Sequence, residues 1–319
     1  MYDSNSIARP PQKLGKYVLM TAAYNEECTI ENTLHSITHQ TVLPEKWIIV
    51  SDGSSDGTDK IIQRYARQWN FIAYGRIERH PGRSFGSKVR ALRSGSRLLA
   101  GTRYEFIGNL DADVTVEPSY FEDLMIRFLR DPQLGLAAGF VREQDRGEFR
   151  NRSTNRVYSV AHAAQLVRRE CYEAFGGYAV LEYGGEDWHA QTSARMNGWT
   201  AKAFPEVPIF HHRRTGEAEN PILHRFLQGK MDYSLGVDPL FQLLKCVDLS
   251  FERPRILGSI ARIAGFLCCY ICRNARAVPD EFVTFLRSEQ RQRLADIGHL
   301  AHQRLRVWRK SGTAEGRSQ

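Results

Sequence analysis

The sequence has no apolar segment long enough to span a membrane. In 319 residues, none of its apolar stretches approaches the roughly 20 consecutive residues that a transmembrane helix needs. The nearest candidate, residues 263–272, has about half of that length, and an arginine stands at each of its edges. The N-terminal residues, MYDSNSIARPPQKLGK, contain no apolar core of a signal peptide. We therefore expect a cytoplasmic protein.

Cysteine is also scarce, with six residues at uneven spacing. This number argues against a disulfide framework and favours a reducing compartment. Cys269 and Cys272 form a C-x-x-C motif inside an apolar run, which favours packing thiols over redox chemistry or a metal site. The sequence also contains no internal repeat, so a solenoid is not indicated.

What the sequence does have is positive charge on an ordinary globular composition. Hydrophobic residues make up 42% and charged residues 25%, which is sufficient for a substantial core. The formal net charge is +8. A basic surface favours polyanions, anionic lipid headgroups or phosphorylated substrates, although a basic soluble protein without such a partner has the same composition.

Apolar strands and amphipathic helices alternate through about residue 130. The predicted strands are KYVLMTAA, KWIIV, FIAYGRIE and YEFIGNL, and a helix is predicted after each. This order predicts an α/β fold with a mostly parallel sheet that helices cover on both faces. Further strands are predicted at LGLAAGFV and AAQLVRR. The segment TAKAFPEVPIFHHRR contains two prolines and is therefore predicted at an edge or in a loop.

Polar turns follow three of the predicted strands, at residues 24–25, 52–56 and 111–113. Ligands of parallel sheets bind outside the carboxyl ends of the strands, so these turns are expected to line a site. Ordinary turns have the same composition, which leaves that alternative open. Asn25 also stands where the N-cap of the following helix is expected.

Two aspartates separated by one small residue form a possible cation site. Carboxylate oxygens of Asp111 and Asp113 suit a hard divalent cation, although a D-x-D motif also caps turns. His211 and His212 are followed by two arginines, which indicates a metal or an anionic ligand.

A carboxylate pair, Glu186 and Asp187, follows two glycines and opens a predicted helix. The positive end of the helix dipole favours the ionised form, and an ionised carboxylate in a cleft can take a proton from a hydroxyl. Ordinary N-terminal helix charge is the alternative.

A serine hydrolase is a competing interpretation. Residues 53–57, GSSDG, match the G-x-S-x-G motif between a strand and a helix, and Asp187 and His211 or His212 follow in the required order. However, two aspartates crowd the serine, the turn comes very early in the chain, and no oxyanion loop of the HGGG type is present.

Four motifs in one order resemble the family 2 glycosyltransferases, which have the GT-A fold. They are TAAYNEE, WIIVSDGSSDGT, LDADV and GGEDWHAQTSARMNGW, and the resemblance covers roughly residues 16–215. An alanine, Ala22 or Ala23, stands where a proline is common in the family.

The resemblance implies a nucleotide-sugar donor, with a UDP-sugar expected, and a divalent cation, Mn²⁺ or Mg²⁺. Asp113 and His211 or His212 would bind the metal, and Asp187 would be the catalytic base of an inverting transfer. Glu186 and Trp188 would contact the acceptor. The donor would contact Ala22, Tyr24, Glu26, Asp52, Lys88, Asp111 and Ala112, with Arg83 as a weaker candidate for the diphosphate.

The resemblance also implies transfer of a single sugar, because the Q-x-x-R-W motif and the membrane spans of processive members are missing. The expected acceptor is a glycan or a lipid-linked oligosaccharide, in cell-surface polysaccharide or glycolipid synthesis. We expect a flexible arm at residues 1–15, the GT-A catalytic domain at 16–219, a helical region at 220–310 and a disordered tail at 311–319.

The helical region mixes arginines with a short apolar run, RILGSIARIAGFLCCYICRNAR. An interfacial helix on an anionic membrane has this pattern, which would place the protein peripherally on the inner face of the cell membrane. A core helix that packs on the catalytic domain is the alternative. The arginines also raise the possibility of nucleic-acid binding, but no recognition motif is present and the acidic turns would repel phosphates, so we expect no nucleic-acid partner.

Overall fold

A computed structural model describes residues 14–79, 86–145, 147–213, 220–250 and 254–296. The chain divides into two units, residues 1–215 and 216–319. The first half of unit one alternates strands with helices: β1 Tyr17–Ala23, α1 Ile30–Thr38, β2 Lys46–Asp52, α2 Thr58–Gln68, β3 Ile72–Ile77, α3 Ser87–Ser96 and β4 Phe106–Leu110. The second half adds β5 Val114–Val116, α4 Tyr120–Arg130, β6 Leu134–Asp145, β7 Glu148–Asn151, β8 Ala164–Arg168, α5 Arg169–Ala174, α6 Glu186–Met196 and β9 Thr200–His211.

These strands form one mixed sheet in the order β3-β2-β1-β4-β8-β6-β9-β5, with β7 paired to β6. Strands β3, β2, β1 and β4 are parallel, whereas β8 runs antiparallel to both of its neighbours. Strand β9 is parallel to β6, and β5 is antiparallel to β9. The prediction of an α/β fold with a helix-flanked sheet is confirmed, and its parallel half is the part that the alternating pattern indicated.

Apolar side chains cover both faces of this sheet. The last six residues of β2 are buried, as expected for a strand with helices on both sides. One buried cluster contains Leu34 of α1 and Phe121 of α4, and the other contains Val89 of α3 and Ala190 of α6. The carboxyl ends of β1, β2 and β4 form a rim of the sheet. Helices packed on both faces of the sheet hold this rim in place.

The proline-containing segment was predicted at an edge or in a loop, and its two prolines do lie where, among the described strands, only β6 pairs with it, although its last residues, 209–211, also pair with β5. It forms β9, which lies between β6 and β5. The register of its pairing with β6 shifts between Gly139, which faces Phe204, and Phe140, which faces Pro208. The shift forms a bulge that contains Pro205, so the absence of its N–H costs no ladder hydrogen bond.

The prediction that Asn25 caps the helix after β1 is wrong. Helix α1 begins only at Ile30, and Asn25 has a left-handed backbone with φ of 53°. Its side-chain oxygen accepts a hydrogen bond from the backbone N–H of Ser55 at 2.9 Å. Asn25 thus connects the turn after β1 to the turn after β2.

The second unit is helical over its described residues, with α7 Pro221–Ser234, α8 Pro239–Leu249, α9 Arg255–Ile271 and a further helical stretch at 280–296. The side chains of Asn220 and Asp238 cap α7 and α8, and a proline follows each cap. Helices α7 and α9 pack so closely that a methyl group at Gly229 would overlap the Arg262 carbonyl oxygen. Along the described chain, no helix combines the length and apolarity that crossing a membrane requires.

The bulge between β6 and β9 makes Gly139 a sensitive position. A methyl group there would overlap the carbonyl oxygen of Val207, which is backbone and cannot swing away. We expect Gly139→Ala to lower the free energy of unfolding by about 1–3 kcal/mol in a denaturant titration. Gly75→Ala in β3 is the matched control, because its methyl group would make only ordinary contacts with Val50 and Leu98. Equal stability of the two variants would contradict this description of the bulge.

Candidate active site

The turns after β1 and β2 are fixed to one another by hydrogen bonds. The backbone N–H of Glu26 donates to the Thr58 hydroxyl at 2.7 Å, and the Gly57 N–H donates to the Glu27 carboxylate at 2.9 Å. Together with Asn25, these bonds give the rim a defined shape before any ligand arrives. Ala22, two residues before Tyr24, is half-buried near the carboxyl end of strand β1.

Tyr24, Asp52 and Arg79 form one end of the rim. The Arg79 guanidinium lies 3.3 Å from the centroid of the Tyr24 ring, and its Nη1 lies 3.3 Å from Oδ2 of Asp52. Burial raises the pKa of Asp52, although the charges of Arg79 and Arg90 oppose it. Sequence reasoning missed Arg79. The available signal was its position just past β3, at the same edge of the sheet as the other two residues.

The D-x-D turn, residues 111–113, separates its two carboxylates. Ala112 is 4% exposed, and its carbonyl oxygen accepts a hydrogen bond from the Thr33 hydroxyl at 2.9 Å. A small side chain is therefore suited to the middle position. The flanking aspartates face different partners, since Asp111 contacts Lys88 and Asp113 contacts His211 and Arg213.

Asp113 lies among positive groups. Its Oδ1 is 3.2 Å from Nε2 of His211, its Oδ2 accepts a hydrogen bond from Nε of Arg213 at 3.0 Å, and Arg213 also pairs with Glu26. Burial alone would raise the pKa of Asp113, but the hydrogen bond from His211 and the charges of His211 and Arg213 outweigh it and lower that pKa to about 2. Asp113 is therefore ionised at neutral pH.

The charge of Asp113 also changes the protonation of its neighbours. Burial raises the pKa of Glu26, and the nearby Asp113 carboxylate raises it further against the opposing charge of Arg213. Burial would lower the pKa of His211, but the hydrogen bond and charge of Asp113 outweigh it and raise that pKa.

The structure distinguishes the two histidines. His211 faces the Asp113 carboxylate, whereas Nε2 of His212 lies 2.9 Å from the Thr115 hydroxyl. His212 contacts Asp113 through the backbone, donating its N–H to the Asp113 carbonyl oxygen at 2.9 Å. The geometry therefore favours His211 over His212 as a metal ligand.

Within the residues that the structure describes, no three His, Cys, Asp or Glu side chains are grouped so as to hold a metal ion. Asp113 and His211 nevertheless offer an ionised carboxylate oxygen and an imidazole nitrogen side by side. This donor pair fits Mn²⁺ or Mg²⁺ when a diphosphate and water complete the coordination, because these cations are commonly held by one or two protein ligands and substrate phosphates.

Lys88 and Asp111 form the other half of the rim. Nζ of Lys88, at the start of α3, lies 2.5 Å from Oδ1 of Asp111. Burial opposes the charged amine, but the carboxylates of Asp111 and Glu186 outweigh it and raise the pKa of Lys88. A lysine that stays charged in a half-closed site suits a phosphate ligand. Arg83, the weaker candidate, lies outside the described residues.

Helix α6 delivers the carboxylate pair to the same site. Gly184 and Gly185 adopt φ of 80° and 92°, which only glycine tolerates readily, and the helix begins at Glu186. Burial raises the pKa of Glu186, with Lys88 opposing and Asp187 reinforcing this shift. Burial also raises the pKa of Asp187, against a hydrogen bond that its Oδ1 accepts from the Trp188 N–H at 2.7 Å.

His162 is a second residue that sequence reasoning missed. Its ring is 6% exposed and packs edge-on against Tyr178, and its Nδ1 lies 3.8 Å from Oε1 of Glu186. Burial, reinforced by the charge of Lys88, lowers the pKa of His162 well below its usual value, so the ring is neutral. It precedes β8 by two residues, in a segment without any motif.

Ser55, the central serine of the GSSDG turn, is not in a hydrolase arrangement. Its backbone N–H donates to Asn25, and its hydroxyl lies 3.4 Å from the same Asn25 oxygen. Both candidate histidines have other partners, as His211 faces Asp113 and His212 contacts Thr115. The serine–histidine contact of a nucleophile elbow is therefore not formed.

Comparisons with known proteins bear on the family and the fold of this chain. The profile described as Glycosyl transferase family 2 matches residues 19–182. Poly-beta-1,6-N-acetyl-D-glucosamine synthase of Staphylococcus aureus is 29% identical over 149 residues, which are 46% of this chain and 32% of that protein. The chain thus spans about a third of the length of the curated relatives it matches.

Two solved structures share the fold. The mannosyltransferase PcManGT from Pyrobaculum calidifontis, in complex with GDP-Man and Mn²⁺, has a TM-score of 0.52 and 18% identity, covering 95% of this chain and 85% of that one. TarS of S. aureus, in complex with UDP-GlcNAc, has a TM-score of 0.50 and 14% identity, covering 79% and 71%. At these identities, the similarity supports the fold alone.

The contact between Asp113 and His211 has a measurable consequence. Because the carboxylate raises the pKa of His211, we expect Asp113→Asn to lower that pKa in an NMR titration of the imidazole signals. Asp52→Asn removes an acid that does not contact His211 and is the matched control. An unchanged His211 titration in Asp113→Asn would contradict the described contact.

The same contact links folding to pH. The pKa of His211 is raised above 6.5 in the folded protein, so its contribution to stability is fully present below about pH 6.5 and is lost as pH rises through the folded value. We expect this pH-dependent part of the unfolding free energy to be absent from Asp113→Asn.

Proposed function

This chain belongs to glycosyl transferase family 2, and from that premise we propose that it transfers one sugar from a nucleotide-sugar donor to an acceptor hydroxyl, with inversion of the anomeric carbon. The acceptor is a glycan or a lipid-linked oligosaccharide. The observation that carries this proposal is the divergence of Asp111 and Asp113 toward separate positive partners, Lys88 on one side and His211 with Arg213 on the other.

Such an arrangement suits a diphosphate. Lys88 and Arg213 place positive charge on both sides of the D-x-D turn, where the phosphate oxygens of a donor would lie. Asp113 and His211 would hold a divalent cation, Mn²⁺ or Mg²⁺, which stabilises negative charge on the departing diphosphate. Asp111 would orient the donor ribose or sugar.

The nucleobase would lie at Tyr24, Asp52 and Arg79. Tyr24 is 39% exposed and offers a ring face on which a base can stack. The Asp52 carboxylate can accept a hydrogen bond from an N–H of the base. Arg79 can donate to a carbonyl of the base. We propose a UDP-sugar as the donor, supported by the UDP-GlcNAc bound to TarS, while the GDP-Man bound to PcManGT keeps guanosine as the competing base.

Asp187 is proposed as the catalytic base. Its carboxylate takes the proton of the acceptor hydroxyl while the acceptor oxygen bonds to the anomeric carbon and the bond from that carbon to the diphosphate breaks. Burial raises the pKa of Asp187, which makes it a stronger base than an exposed aspartate. Lys88 lies close enough to Glu186 and Asp187 to interact electrostatically with both, so the base and the diphosphate end are held in one site. Glu186 and Trp188 would contact the acceptor.

The product is proposed to enter cell-surface polysaccharide or glycolipid. The curated relatives are named as synthases of a polysaccharide, which supports a glycan acceptor. We propose transfer of a single sugar, because the chain lacks the Q-x-x-R-W motif that the resemblance associates with processive members.

We also propose that the second unit docks on an anionic membrane surface. One stripe of α8 exposes four apolar side chains, namely Leu240, Leu243, Leu244 and Val247, each 45–58% exposed. Helix α9 exposes Ile256, Leu257, Ile260 and Ile271, each 57–76% exposed. Exposed arginines, Arg255, Arg273 and Arg276, lie at and beyond the ends of α9. An apolar stripe bordered by arginines is typical of an interfacial helix.

The catalytic proposal is tested by nucleoside diphosphate release from a panel of UDP- and GDP-sugars, with lipid-linked and soluble glycan acceptors. We expect Asp187→Asn to lower the release rate by about 10²-fold or more, since a general base contributes this much, with nucleotide affinity unchanged. In the wild type, the acidic limb of the pH–rate profile should lie above the ordinary aspartate pKa of 3.8, because activity requires the ionised base and burial raises its pKa.

Glu182→Gln, an exposed acid just before α6, is the control and should keep full activity. Undiminished release by Asp187→Asn would overturn its role as the base. Absence of release from every donor would count against the transfer itself.

The membrane proposal is tested by sedimentation with vesicles of anionic or neutral lipid. We expect binding to anionic vesicles at low salt, weaker binding at high salt because the arginine contribution is screened, and loss of binding in Leu243→Ser/Ile260→Ser. Leu43→Ser, at an exposed leucine of the first unit, is the control. A wild type that stays in the supernatant, or that self-associates through this face instead, would refute the proposal.

A further inference from the structure

A cleft lies beside the D-x-D turn, between α1 and the edge strand β5. Its volume is about 650 Å³, which is within the range of small-molecule sites. We name it the histidine cleft. Its polar lining consists of the side chains of Asn32, His35, Ser36, His39, Thr115 and His212.

Helix α1 contributes one polar face to this cleft. Asn32, His35, Ser36 and His39 follow one another at helical spacing, opposite the buried face that contains Leu34. The rings of His35 and His39 stack with centroids 3.9 Å apart. Sequence reasoning gave this face no role, because a polar helix face is usually only solvated.

Several hydrogen-bonding groups of the cleft are available to a ligand. Nδ1 of His39 lies 2.8 Å from the His35 carbonyl oxygen, so it carries the proton and leaves Nε2 as an acceptor. Within the described part of the chain, the side-chain amide of Asn32 and the ring nitrogens of His35 make no hydrogen bond. The cleft therefore offers donors and acceptors together.

The lining restricts the chemistry of the ligand. Among the residues that the structure describes, no Asp, Glu, Lys or Arg side chain lines the cleft, so these residues offer no counter-charge to a phosphate or a carboxylate. An apolar ligand would strip water from the polar lining without replacing its hydrogen bonds, which is unfavourable. A neutral ligand rich in hydroxyl groups satisfies both conditions, and the stacked imidazoles add a flat face for a sugar ring.

The cleft lies next to the proposed donor site along the chain. His212 follows His211 directly, and its backbone N–H donates to the Asp113 carbonyl oxygen at 2.9 Å. The segment after α1 is joined to the segment after β5, because the Thr41 N–H donates to the Pro118 carbonyl oxygen and the Gln40 amide donates to the Glu117 carbonyl oxygen, each at 2.8 Å.

We propose that the histidine cleft binds a neutral saccharide unit, separate from the hydroxyl that reacts at Asp187. This inference rests on the proposed glycosyl transfer for the presence of a glycan nearby. The saccharide belongs either to the acceptor chain itself or to a second glycan that keeps the protein on its polymer. Asn32 and His35 donate to its hydroxyl oxygens, and His39 accepts from a hydroxyl.

The test is an NMR titration of the imidazole signals with two oligosaccharide series, of β-linked N-acetylglucosamine and of mannose, two to five units long. We expect one series to shift the signals of His35 and His39 in the wild type. Asn32→Ala/His35→Ala should weaken this binding about fivefold to tenfold, as expected for lost hydrogen bonds. Gln68→Ala, on the exposed end of α2, is the control and should bind as the wild type does.

The affinity for UDP with Mn²⁺ is measured on the same samples, which separates the two proposals. Saccharide shifts that are absent from the wild type, or a His39 shift with the same affinity in Asn32→Ala/His35→Ala as in the wild type, overturn the cleft even where UDP binds normally. A lack of nucleotide binding with intact saccharide shifts counts against the transfer and supports the cleft. Conversion of the bound oligosaccharide to product, with a raised KM in the variant, identifies the acceptor chain as the source. Binding without conversion identifies a second glycan.

Discussion

The opposed placement of Asp111 and Asp113 is the constraint on which the rest of the site depends. Two like charges two residues apart are tolerated because Ala112 is buried between them and each carboxylate has its own positive partners. Lys88 neutralises one side and Arg213 the other, so both carboxylates of the D-x-D turn are compensated within the protein. Lys88 comes from the start of α3, whereas Arg213 follows the end of β9, so the site requires both a helix and a strand that are distant in sequence from the D-x-D turn.

Local patterns predicted the parallel half of the sheet, the D-x-D turn and the opening of α6, since each is encoded in a few consecutive residues. Contacts between distant segments could not be read in this way. Arg79 and His162 carry no motif, and only the folded sheet brings them to Tyr24 and Glu186. Strand β5 is three residues long, too short for a period of two to be recognised. The prolines of β9 lie where, among the described strands, β6 alone pairs with it, as predicted for an edge, but the pairing of its last three residues with β5 could not be read from the sequence.

The two units differ in how they bury their apolar side chains. The first buries its apolar residues on both faces of a sheet and places its polar groups at one rim, whereas the second leaves a row of apolar side chains exposed on α8 and α9. Within the second unit, Asp232 is fully buried and neutralised by Arg262 and Lys245. Charge pairing therefore compensates its buried carboxylate, whereas the exposed apolar row is the observation on which the membrane proposal rests.

The central claim is that the D-x-D turn and its positive partners bind the diphosphate of a nucleotide through a divalent cation. Calorimetric titration of a panel of nucleoside diphosphates, in Mn²⁺ and then in EDTA, into the wild type and Asp113→Ala tests it most directly. The account predicts that one nucleotide binds in Mn²⁺, and that EDTA or the substitution abolishes this binding. Binding of equal affinity in EDTA and in Asp113→Ala, or no binding of any nucleotide to the wild type, would contradict it.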